Sequence, residues 1–96
     1  MTLLHLGAAI LNQTPLDWAG NAARIRAVLS AARAGGVGLV CLPELCITGY
    51  GCEDAFHGPD LLARAEAVLC DLLPETRGLV ACLGLPHLHQ RSLFNT

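Results

Sequence analysis

Three short apolar runs divide the chain, and two stretches of helical periodicity lie between them. Leu3 to Leu11 is rich in Leu, Ala and Ile. It is short enough for a strand buried on both faces, although periodicity alone leaves a helix open. Asn12 to Pro15 punctuates it. Trp18, Ala22, Ile25, Leu29 and Ala32 then recur at helical spacing, with Asn21, Arg24 and Arg33 on other faces. Asp17 suits an N-cap and Gly35-Gly36 a stop, which predicts a helix over Asp17–Ala34. Val37 to Leu42 is the second strand. The turn Thr48-Gly49-Tyr50-Gly51 and an irregular stretch holding Cys52-Glu53-Asp54 follow it. Pro59 suits the first turn of a second helix near Pro59–Leu73, with Leu61, Ala65, Val68 and Leu72 as its buried stripe and Pro74 at its end. Leu79 to Leu85 is a third strand, closed by Pro86.

The order strand, helix, strand, helix, strand, with connections long enough for parallel crossovers, predicts an α/β fold with three largely parallel strands and two helices on one face. A chain of 96 residues holds one domain at most. After the third strand the chain reaches Phe94-Asn95-Thr96 with no further helix or capping strand expected. A three-stranded parallel sheet leaves open edges. The expectation is therefore a partial domain over residues 1–96, truncated after Thr96.

Composition narrows the function. Apolar residues make up 53% of the chain, enough for a core, and the formal net charge is −2. No basic patch is present, which argues against a nucleic-acid or membrane-surface partner. All six basic residues other than histidine are arginines; there is no lysine. The five cysteines (Cys41, Cys46, Cys52, Cys70 and Cys82) form no C-x-x-C and sit mostly among aliphatics. They fit buried, reduced thiols in a cytoplasmic protein better than disulfides or zinc ligands. No signal peptide or membrane-spanning stretch is visible in the sequence.

The chemistry concentrates at Leu42-Pro43-Glu44-Leu45-Cys46-Ile47-Thr48-Gly49-Tyr50. Functional groups of open α/β sheets gather at the carboxyl ends of the strands, and Glu44 stands there, just after the second strand. A carboxylate at the mouth of an apolar core loses hydration, so its pKa is expected to rise toward the working pH of a general base. The plainer alternative is a surface glutamate, or one bonded to loop amides.

The stretch "LPELCITGYGCED" resembles the first catalytic segment of the nitrilase, or carbon–nitrogen hydrolase, superfamily: an apolar strand, Pro-Glu, then a Thr-Gly-Tyr turn. Its Glu53-Asp54 continuation is similar to the glutaminase domain of glutamine-dependent NAD synthetases. Asn21-Ala22-Ala23-Arg24-Ile25 resembles the family's first helix, and Leu83-Gly84-Leu85-Pro86 with Leu93-Phe94-Asn95 its third strand and the start of the next. The fold this implies is the N-terminal portion of a nitrilase-like αββα sandwich, whose other sheet face packs on a second sheet. The family joins a Cys nucleophile, a Lys and a Glu. Only the Glu carries over, to Glu44 as general base, with Tyr50 as a substrate-binding candidate. No lysine is present, and the five cysteines lie outside the nucleophile's segment and are read as structural.

The resemblance implies L-glutamine as substrate, with released ammonia used for ATP-dependent amidation of nicotinic acid adenine dinucleotide. It also implies the rest of the polypeptide as partner, homo-oligomerisation, and no cofactor in this chain. ATP and Mg would belong to a synthetase domain outside it, and the chain alone would be inactive. The alternatives are a stand-alone amidase or nitrilase of the same superfamily and a non-catalytic α/β module.

Other residues carry less. Thr48 and Gly49 are expected to shape the turn. Glu53 and Asp54 are expected to cap or bond loop amides. His87 and His89 would share one face of an extended segment, but two ligands half-fill a zinc shell, so no metal is expected. Gly35-Gly36-Val37-Gly38 follows a helix and so lacks the context of a phosphate loop.

Overall fold

The computed structural model describes residues 3–96. The three apolar runs become β1 (Leu6–Ala8), β2 (Leu39–Cys41) and β3 (Val80–Cys82), a parallel sheet in that order. Each ladder is shorter than its apolar run. Flanking amides extend the pairing: Ala9 donates to the Cys41 carbonyl at 2.9 Å and Leu42 to the Cys82 carbonyl at 3.0 Å.

The connections are α1 (Trp18–Ala34) and α2 (Pro59–Leu72). Asp17 caps α1 as expected, its Oδ1 accepting from the Gly20 amide at 3.1 Å. Gly35 closes α1, and Gly36 turns the chain with φ +71°. Pro59 occupies the first turn of α2. A 3-10 turn, Leu73–Thr76, contains Pro74 and continues the coil past the end of α2.

Register settles the two faces of the sheet. Gly7, Val40 and Ala81 are aligned across it, and the core forms on their side: Val40 with Ile25, Leu29 and Ala32 of α1 and Ala65 and Leu72 of α2. Both helices thus cover one face. The alternate positions, Leu6–Leu39–Val80 and Ala8–Cys41–Cys82, point the other way. Leu6 is 69% exposed and Val80 58%.

Three expectations need correction. Asn21 belongs to the buried face of α1, not to a polar one, and is fully enclosed. Only Cys46 and Cys52 are buried; Cys41, Cys70 and Cys82 are exposed, and all five thiols are free. The end of the chain is also structured: β4 (Pro86–His89) and β5 (Ser92–Asn95) pair antiparallel as a hairpin. Its two-residue turn, Gln90-Arg91, has φ of 47° and 68°, the geometry of a type I′ turn without its usual Asn or Gly. Leu85 and Thr96 exchange backbone hydrogen bonds at 2.8 and 3.0 Å just beyond the hairpin. Among the described residues no helix is long and apolar enough to cross a membrane.

Candidate active site

The chain leaves β2 through Leu42 and Pro43 and enters a turn over residues 44–48. Three successive carbonyls of that turn are tied to the segment between β1 and α1, or to α1 itself. Gln13 Nε2 donates to the Cys46 carbonyl at 2.7 Å, Asn21 Nδ2 to that of Ile47 at 3.1 Å, and the Leu16 amide to that of Thr48 at 2.9 Å. Buried carbonyls need partners, and here each partner comes from a different residue of one rigid neighbour.

Asn21 is the centre of this support. Its Nδ2 also donates to the Thr14 carbonyl at 2.9 Å, and its Oδ1 accepts from the Thr14 amide at 3.0 Å and from Arg24 at 2.8 Å. Two donors and two acceptor positions are all used, which is the full capacity of an Asn side chain. Gly49, with φ +80°, lies against the main chain of Thr14 and Pro15, where a Cβ would come within 2.9 Å. Thr48 is fully buried, its hydroxyl donating to the Gly49 carbonyl at 3.0 Å. Thr48 and Gly49 shape the turn.

The turn holds Glu44 at the carboxyl edge of the sheet, as the sequence predicts. Leu45 follows with φ +51°, a left-handed conformation that is strained for a branched residue. Glu44 lines an open groove of about 310 Å³ with Leu42, Pro43, Cys82, Leu83, Gly84, Asn95 and Thr96. Its carboxylate is exposed, contrary to the expectation of burial. The Tyr50 hydroxyl donates to its Oε2 at 2.6 Å, and the Asn95 side-chain amide donates to its Oε1.

The direction of the pKa shift is the reverse of that expected. The Tyr50 hydrogen bond, followed by that of Asn95, favours the ionised carboxylate and holds Glu44 below the usual glutamate value; the opposing desolvation is the smaller effect. Burial fails to dominate because the open groove leaves the carboxylate hydrated. The same contact pushes the Tyr50 phenol up, chiefly because that hydroxyl donates to Glu44.

Tyr50 and Glu44 are therefore brought together. Asn95 joins them from β5, although the sequence marks it only through its likeness to a family strand. Glu53, which has φ +50°, lines a neighbouring cleft with Phe56, His57, Phe94 and Asn95. Cys46, within the turn, is buried, and that burial is the main cause that pushes its thiol up. His87 and His89 stand on β4 opposite Phe94 and Ser92. Among the described residues no three His, Cys, Asp or Glu side chains group as metal ligands do.

Comparison with known proteins points the same way. The carbon-nitrogen hydrolase family model matches residues 6–96. The glutamine-dependent NAD(+) synthetase of Saccharomyces cerevisiae is 37% identical over 95 residues, which are 97% of this chain and 13% of that protein. Its namesake from Rattus norvegicus is 38% identical over 88% of the chain and 12% of its own length. The chain thus spans about an eighth of the length of these curated relatives. The crystal structure of a glutamine-dependent NAD(+) synthetase from Cytophaga hutchinsonii superposes with a TM-score of 0.93 at 36% identity, over 96% of this chain and 16% of that one. An amidase from Nesterenkonia sp. shares the fold alone, with a TM-score of 0.77 at 22% identity.

Proposed function

The chain belongs to the carbon–nitrogen hydrolase family, and from that premise we propose that it forms the first part of the glutaminase domain of a glutamine-dependent NAD synthetase, with Glu44 as its proton-transfer group. The observation that carries this reading is the position of Glu44. It stands at the carboxyl end of the central strand, on a turn pinned by three hydrogen bonds, with its carboxylate facing an open groove. The likeness to glutamine-dependent NAD synthetases over nearly the whole chain supports the choice of substrate.

The proposed reaction is hydrolysis of the glutamine side-chain amide. A cysteine thiol elsewhere in the polypeptide gives its proton to Glu44 and attacks the amide carbon. The carbon–nitrogen bond then breaks, and Glu44 returns the proton to the departing nitrogen, leaving a thioester and ammonia. Water hydrolyses the thioester to glutamate by the same proton route. A carboxylate held in its ionised form, as Glu44 is, is in the state that accepts the first proton. The chain contains no lysine to stabilise the developing oxyanion, so the 96 residues alone are expected to be inactive. Ammonia would then be consumed in the ATP-dependent amidation of nicotinic acid adenine dinucleotide. We propose a cytoplasmic location and a homo-oligomeric enzyme for the same protein.

The test is a paired assay of Glu44→Gln in the complete enzyme. Glutamine preserves the shape and removes the proton acceptor. Synthesis from glutamine is expected to fall by about a hundredfold to ten-thousandfold, the usual contribution of a general base, while synthesis from added ammonia persists. Glutamine-driven activity within a few-fold of wild type would remove Glu44 from the mechanism.

A further inference from the structure

We infer that Asn95, delivered by the β4–β5 hairpin, is the positioning residue for Glu44, acting with Tyr50 so that each carboxylate oxygen is held by a different donor. This rests on Glu44 being the proton-transfer group, and it adds a residue 51 positions away in sequence to that site.

The geometry is specific. A glutamate side chain on a turn has three free torsions, and one hydrogen bond leaves the carboxylate able to swing about the bonded oxygen. Tyr50 holds Oε2 from the Glu44 turn itself, six residues on. Asn95, which also lines the groove, holds Oε1 from β5. Two donors on two oxygens fix both the position and the plane of the group. An ionised carboxylate has about four acceptor positions, so two remain open to the groove for a proton in transit.

The hairpin is attached so that Asn95 cannot drift. Asn95 pairs with Pro86 at the hairpin's open end. The neighbouring Thr96 and Leu85 exchange two backbone hydrogen bonds, and Leu85 is buried in the core. Gly84, one residue earlier, packs directly on the main chain of Glu44 and Leu45. The support of Asn95 and the support of Glu44 therefore meet within three residues of β3. The lowered pKa of Glu44, caused first by Tyr50 and second by Asn95, agrees with donors aimed at the charged form. The titratable groups around Glu44 are Tyr50 on its own turn and Cys82 on β3.

The test follows the titration of Glu44 in the full 96-residue chain, at a concentration below its self-association, by carbon-13 NMR of the glutamate carboxyls, assigned by difference with Glu44→Gln. Asn95→Leu and Tyr50→Phe are each expected to raise the Glu44 midpoint, and the double variant to raise it further. In the unaltered chain, the Asn95 side-chain amide resonance should titrate with the same midpoint as Glu44 and lose that dependence in Glu44→Gln. This second readout needs no variant at Asn95, so it holds even if Asn95→Leu loosens the hairpin. A residue that merely packs the hairpin would move neither signal. A Glu44 midpoint unchanged in Asn95→Leu, or an Asn95 amide indifferent to Glu44, overturns the inference. Neither result bears on whether Glu44 is the base, which the turnover of Glu44→Gln decides separately.

Discussion

The main chain of Gly84 lies so close to that of Leu45 that a Cβ on Gly84 would sit 2.5 Å from the Leu45 amide nitrogen and 3.1 Å from Glu44 Cα. The three nearest atoms it would meet are all backbone, so no flexible side chain there can yield. The Gly84 carbonyl also accepts from the Ile47 amide at 3.3 Å. Gly84→Ala must push the Glu44 turn away from β3. We expect a loss of about 1–3 kcal/mol, as for other overpacked sites, together with a displaced Glu44. Gly35→Ala is the control, because its Cβ would lie 3.4 Å from the nearest atom at an ordinary φ of −85°. Urea denaturation of both variants makes the comparison. Equal losses would show that the Gly84 contact has slack.

Asn21 gives a second stability prediction. Replacing it with Leu leaves the Ile47 carbonyl and the Thr14 amide without their partner, while the Thr14 carbonyl keeps only the Asp17 amide at 3.2 Å. A buried group so orphaned costs about 1–3 kcal/mol; Ile47 is buried and Thr14 is exposed, so the total should be about 2 kcal/mol. The apolar gain of Leu cannot offset this, because the position is lined by main-chain polar groups. The urea midpoint should fall, and the Thr14 amide, which loses its acceptor, should exchange faster with solvent. A Leu variant as stable as the parent would mean that water replaces the Asn side chain.

These two residues also show where sequence reasoning reaches its limit. The strand and helix order was legible because apolar runs and helical spacing report burial directly, and Asp17, Gly35 and Pro59 signal their ends through local chemistry. Glu44 was legible because Pro-Glu at a strand end is a local pattern. Asn21 was not, since a polar residue at helical spacing looks the same whether it faces water or a ring of carbonyls. The hairpin was hidden because Gln90-Arg91 adopts positive φ without the residues that advertise it. Asn95 carried only a likeness to a family strand, and its contact with Glu44 needed the hairpin. The direction of the Glu44 shift depended on the balance between lost water and gained donors, which only coordinates resolve.

Acid should loosen the site. Because the folded-state pKa of Glu44 lies below its unfolded value, its contribution to stability is complete above the ordinary glutamate range, near about 4.3, and is lost as pH falls through the lower folded value. Lowering the pH should therefore weaken the hold of Asn95 and Tyr50 on the turn. Hydrogen exchange of the hairpin amides, followed from neutral to strongly acidic pH, should accelerate more in the parent chain than in Glu44→Gln. Parallel acid profiles would show that the hydrogen bonds to Glu44 give no preference for its charged form.

The uncovered face of the sheet carries the last prediction. Leu4, Leu6, Ile10 and Val80 are exposed large apolar residues, and Leu6 and Val80 share that face with Ala8, Cys41 and Cys82. Soluble monomers seldom expose apolar patches beyond a few hundred Å², so the isolated 96-residue chain should bind a hydrophobic dye and self-associate as its concentration rises. Leu6→Thr with Val80→Thr tests the cause. Threonine has the β-branched form that strands favour, and neither parent side chain is part of the buried core. The double variant should hold its urea midpoint within about 1 kcal/mol of the parent, the scale of strand-propensity differences. Dye fluorescence and light scattering should both drop. If they stay high while stability is unchanged, the sticky surface lies elsewhere, and the exposed apolar residues of the hairpin, Leu88, Leu93 and Phe94, are the next to replace.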